Sequence, residues 1–130
     1  MELIGFIERN EVLFMRQRRR SSPDIGIARN SNESIAINES LDLIQASNLI
    51  NSKDIVVITP NWVQPKEPVT GDVVGQESLR AVIRYVKKGN PQRIVIATGS
   101  AGKSTPEVMK AVGYDKVIQD EQVEFVDLNH

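Results

Sequence analysis

Two runs of mostly β-branched residues constrain this chain more than any other feature: Ile55-Val56-Val57-Ile58-Thr59 and Ile94-Val95-Ile96-Ala97-Thr98. Each is continuously apolar, as expected of a parallel strand covered on both faces, where a half-solvated strand would alternate. Between them Leu79, Val82, Ile83 and Val86 fall at i, i+3, i+4 and i+7, one apolar stripe of a helix, with Arg80, Arg84, Lys87 and Lys88 off it. Lys87 and Lys88 suit the negative end of the helix dipole, Gly89 is placed as the C′ residue, and Pro91 bars continuation. Strand, helix, strand is a βαβ unit with a right-handed crossover.

The alternation extends in both directions. Ile25 to Ala28 is a short apolar run, expected as a strand. A helix capped by Asn32 or Ser34 is expected to continue to about Ser47 on Ile37, Leu41 and Ile44. A polar loop spans Asn61 to Gly75. After Thr98 come a Gly99–Gly102 loop, a short helix from about Pro106 to Val112 closed by Gly113, and a last strand, Val123 to Val126. The order β-α-β-α-β-α-β predicts the α/β class, as a three-layer α/β/α sandwich with a mainly parallel sheet of about four strands. Before it, LIGFI and VLFM flank Glu8-Arg9-Asn10-Glu11 and predict an N-terminal β-hairpin, followed by an Arg cluster at 16–20.

Composition agrees. The 29 Ile and Val against seven Leu favour a sheet over a helical bundle, and 130 residues suit a single domain, with 1–20 as an extension and 24–130 as its core. Sixteen basic and 17 acidic residues exclude a globally basic nucleic-acid binder, so nucleic acid is not an expected partner. Without Cys there is no disulfide or thiolate chemistry, and one His leaves no metal site to expect. No apolar run approaches membrane-spanning length, so neither signal peptide nor membrane partner is expected and the expected location is cytoplasmic.

Ligands of open parallel sheets bind beyond the carboxyl ends of the strands. Those ends carry Arg29-Asn30-Ser31, Thr59-Pro60-Asn61-Trp62, Thr98-Gly99-Ser100 and Asp127-Leu128-Asn129-His130. The sharpest motif, Ala97-Thr98-Gly99-Ser100-Ala101-Gly102-Lys103-Ser104, satisfies a relaxed P-loop pattern with Ala for the first Gly, and VEFVD ending in Asp127 is a loose Walker B candidate. Against nucleotide hydrolysis, Pro106 and the Ser104-x-x-Glu107 capping box start the helix after the lysine, and only 27 residues follow Lys103. The expected ligand site is Asn61, Trp62, Gly99, Ser100, Gly102, Lys103 and Ser104, taking a small phosphate- or carboxylate-bearing anion. Trp62 is either a stacking platform or a packing residue, and His130 either an acid–base group or a free terminal side chain. No catalytic constellation follows from spacing, and no cofactor is assigned. A P-loop-like nucleotide hydrolase is one alternative. A non-enzymatic assembly module is the other, forming homo-oligomers through the N-terminal hairpin.

The segments DIVVITPNWVQP, ESLRAVIRYVKKGNPQRIVIATGS, EVMKAVGY and VEFVDLN together resemble the amino-terminal part of the domain-of-unknown-function family 362, over about Asp24 to Asn129. That family typically shows a strand ending in Lys-Pro-Asn, a Thr- and Pro-rich loop, a helix of the RAVI kind and a strand ending in Gly-Ser. Asn61 and Gly99-Ser100 match, while the lysine position is Thr59. More distantly, IATGSAGKSTPEVM is similar to the amino-terminal domain of the lactate racemase superfamily. Its nickel-pincer cofactor needs several histidines and is not carried over. The resemblance implies that family members often continue past the VDLN strand, some into ferredoxin-like cysteine clusters. The chain is therefore expected to be either a piece of a longer architecture or a minimal stand-alone version.

Overall fold

The computed structural model describes residues 22–62, 64–101 and 103–130. The expected hairpin, the Arg cluster and Gly102 lie outside the described residues. The elements run α1 (Glu33–Leu43), β1 (Ile55–Ile58), α2 (Gln76–Lys88), β2 (Arg93–Thr98), α3 (Thr105–Ala111), α4 (Tyr114–Asp120) and β3 (Glu124–Asp127), with 3-10 turns at Ala46–Leu49 and Pro68–Thr70. This is an α/β chain. The three strands among the described residues are all parallel, in the order β1-β2-β3, with Ile58 beside Ile96, Ile96 beside Phe125, and Thr98 beside Asp127.

Alternate residues of a strand share a face. Ile58, Ile96 and Phe125 therefore form one apolar row. Leu79 and Ile83 of α2, Val108 of α3, and Tyr114 and Val117 of α4 cluster with that row, and Trp62 and Val73 of the β1–α2 loop close it. Of the stripe read from the sequence of α2, Leu79 and Ile83 pack in this cluster, whereas Val82 is only half-buried and Ala81 and Tyr85, off the stripe, are buried as well. The other side of α2 packs along α1, where Ser78 donates to Glu33 and Lys88 Nζ donates to Asn38 Oδ1 at 3.1 Å.

Several expectations need correction. Ile25–Ala28 is not a strand. Gly26 lies so close to the Ser40 carbonyl of α1 that a Cβ there would clash with it, so this segment runs along the helix with Ile25 and Ile27 exposed. The fourth strand and the second helical layer thus have no counterpart among the described residues. On the sheet face opposite the helices, Ile55, Val57 and Val126 are about half exposed. A continuous apolar run on an edge strand did not require cover on both faces. Helix α1 is capped by Asn32, whose side chain accepts from the Ile35 N–H at 3.1 Å, and it stops at Leu43 because Gln45 turns left-handed. Gly89 is helical at the end of α2, and the left-handed residue is Asn90 (φ 51°). Glycine is needed at 89 because Ile50 packs where a Cβ would sit. Gly113 ends α3 as expected, but α4 follows it at once and was not anticipated.

Candidate functional site at the carboxyl edge

With all three strands parallel, the loops after β1, β2 and β3 open on one edge. The loops after β2 and β3 are joined by side chains there. Thr105, the first residue of α3, is buried and its hydroxyl is the hub. It donates to Asp127 Oδ1 at 2.7 Å and accepts from Asn129 Nδ2 at 3.2 Å and the Ser100 N–H at 3.4 Å. Asn129 Nδ2 also donates to the Ser100 carbonyl at 2.7 Å, and the Asn129 N–H donates to Asp127 Oδ1 at 3.0 Å. Leu128 N–H donates to the Thr98 carbonyl at 3.0 Å and carries the β2–β3 pairing into the loop. Gly99 lies so close to the Asn129 side-chain amide that a Cβ there would displace it from its hydrogen bonds.

The local folding has sequence causes. Ser104 caps α3 through the reciprocal capping box with Glu107, whose carboxylate accepts from the Ser104 hydroxyl at 2.8 Å and the Ser104 N–H at 3.3 Å. The Ser100 hydroxyl donates to the Lys103 carbonyl at 2.6 Å and closes the loop on itself, leaving the Lys103 side chain exposed. The helix therefore begins two residues after Lys103, with the Ser104 hydroxyl engaged by Glu107. This is the arrangement the capping box predicts, and it differs from a P-loop, where lysine and serine open the helix.

Asp127 is the charged centre of the edge. The Asn129 N–H holds its carboxyl below the ordinary aspartate range against the opposing effect of burial, helped by the Thr105 hydroxyl and the nearby His130. Oδ1 takes both hydrogen bonds. Oδ2 is buried without a hydrogen-bond partner and faces His130 Nε2 at 3.8 Å.

The other expected site residues lie apart from this network. Asn61 Nδ2 donates to the Asp72 carbonyl at 3.1 Å, and the Asn61 carbonyl accepts from Val74 N–H at 2.9 Å, so Asn61 pins its own loop. Trp62 is 1% exposed and bridges to Val73. Its ring stacks on Phe125 at 5.9 Å and meets the edge of Tyr114 at 4.9 Å, so it serves the core. The expected ligand set lacks Thr105, Asp127 and Asn129, although the last two stand among the strand-end residues at this edge. Their signal was present in an Asp closing an apolar strand and a Thr following the cap. It lacked the pairing of β2 with β3 that brings them together. Among the described residues, no group of three or more His, Asp or Glu is placed to hold a metal ion, and no helix is long and apolar enough to cross a membrane.

A parallel α/β sheet with its polar side chains gathered at the carboxyl edge defines the general class. More particularly, the chain belongs to the family described as Domain of unknown function (DUF362), which it matches over residues 56–130. The match begins in β1 and takes in the whole carboxyl edge. No curated protein and no solved structure matches the chain, so the likeness to the lactate racemase domain is not supported.

Proposed function

We propose that this protein binds a small polar ligand bearing a phosphate or carboxylate at the carboxyl edge of its sheet. The supporting observation is the convergence of Ser100, Thr105, Asp127 and Asn129, from three separate elements, around a carboxylate that keeps one oxygen unused. Buried polar groups ordinarily find partners, so an unused acceptor at a strand end marks a place built for something besides stability. Asp127 repels an anion at close range. The ligand therefore keeps its anionic group away from Asp127, toward Lys103 and the Gly99–Ser104 loop.

Amide NMR titration tests this with inorganic phosphate and glycerol 3-phosphate, on wild type and Lys103→Ala. The amides of Ser100, Lys103 and Thr105 are expected to shift, and Lys103→Ala to weaken binding about tenfold, the usual scale of one charge-assisted contact. Shifts scattered over the surface, or equal affinity in the variant, would refute the reading.

A further inference from the structure

Asp127 and His130 are more specifically arranged than ligand binding alone requires. The carboxylate is 15% exposed and held in one orientation, because both the Thr105 hydroxyl and the Asn129 N–H bind Oδ1. That leaves Oδ2 facing His130 Nε2 at 3.8 Å, while the His130 side chain is 80% exposed. A fixed carboxylate with its free oxygen buried behind one imidazole nitrogen, and the rest of the ring open to solvent, is how a general acid–base histidine is oriented. Such pairs are commonly long before a substrate tightens them.

We propose that His130 is a proton-transfer residue at this edge and that Asp127 is its positioning residue. The inference rests on the ligand-binding reading above for the location of the substrate. Nδ1 takes a proton from a hydroxyl of the bound ligand or from a water molecule beside it. The ring becomes cationic, Nε2–H donates to Asp127 Oδ2, and the proton returns from Nδ1 at the end of the cycle. Asp127 stays ionised throughout. The substrate class is a hydroxyl-bearing phosphate or carboxylate, which offers one proton to remove and one charge to hold.

The test uses p-nitrophenyl acetate, an ester that reports an accessible, activated imidazole without needing the natural ligand. Wild type, His130→Ala and Asp127→Asn are compared with and without phosphate, and Trp62 fluorescence checks that each variant is folded. The expected result is ester cleavage lost in His130→Ala and lowered about tenfold in Asp127→Asn, a modest part of what acid–base assistance supplies. Phosphate is expected to inhibit wild type. Equal rates in wild type and Asp127→Asn would overturn the pair, as would full activity in His130→Ala. A drop in Asp127→Asn without phosphate inhibition would uphold the pair and count against the ligand reading. Phosphate binding with no variant effect would do the reverse.

Discussion

Among the described residues, Glu121 is a buried carboxylate shared by three cations. It is 7% exposed, just after α4, and accepts from Arg84 Nε at 2.8 Å, Lys87 Nζ at 3.0 Å and Arg80 Nη1 at 3.2 Å. Lys87 Nζ also donates to its carbonyl at 2.6 Å. Burial pushes its carboxyl up, but the hydrogen bonds from Lys87, Arg80 and Arg84 outweigh burial and hold it below the usual 4.5. A carboxyl lowered on folding stabilises the fold fully above its unfolded value, and this is lost as the pH falls through the folded value. Urea denaturation of wild type is therefore expected to show falling stability below about pH 4.5. Glu121→Gln, which leaves three cations facing a neutral amide, is expected to cost about 2 kcal/mol at neutral pH and to flatten that acid limb. An unchanged acid limb would assign the loss to other carboxylates. The sequence shows Arg80, Arg84 and Lys87 as a solvated face. Only the docking of α4 on α2 supplies the buried carboxylate they share.

Among the elements, α3 depends most on its ends. It has seven residues, too short to be stable by propensity alone. Its start rests on the Ser104–Glu107 box and its first residue, Thr105, is the hub of the carboxyl edge. Ser104→Ala is expected to cost ~1 kcal/mol in thermal or urea unfolding. It is also expected to broaden the amide signals of Ser100 and Asn129, which share Thr105. Loss of stability without any change at those amides would separate the cap from the site. This cap was legible in the sequence because Ser-x-x-Glu before an apolar run is a local pattern. Helix α4 was not, because Tyr114–Asp120 directly follows a helix-ending glycine and its apolar residues, Tyr114, Val117 and Ile118, span only one turn and a half.

At the scale of the molecule, the sheet is asymmetric, and stability should follow that asymmetry. Ile96 sits at the centre of β2 with 0% exposure in the cluster shared with Trp62, Val108 and Tyr114, whereas Val57 on β1 is 56% exposed on the opposite face. Ile96→Ala is expected to cost ~2–5 kcal/mol, the range for emptying a packed aliphatic site. Val57→Thr is expected to stay within about 0.5 kcal/mol. Trp62 is the one tryptophan and is packed into that same core, so its fluorescence reports both unfolding curves directly. Similar losses for the two variants would mean that the Val57 face is covered in solution.

What the sequence determined by itself is local or periodic. The α/β class, β1, α2 and β2, the cap of α3 and the Leu79–Ile83 part of the packed face of α2 all follow from spacings within about ten residues, where helix and strand periods and capping chemistry act. The tertiary structure decided the rest. Ile25–Ala28 is apolar enough for a strand, but Gly26 lies against α1 and the segment does not enter the sheet. Trp62 follows a strand end where ligands gather, yet its ring is taken up by Tyr114 and Phe125. Thr105, Asp127 and Asn129 form one network because Thr98 pairs with Asp127 across the sheet. A pairing between residues 29 positions apart leaves no period in the sequence. It is selected by which apolar faces bury each other best, a property of the whole packed chain.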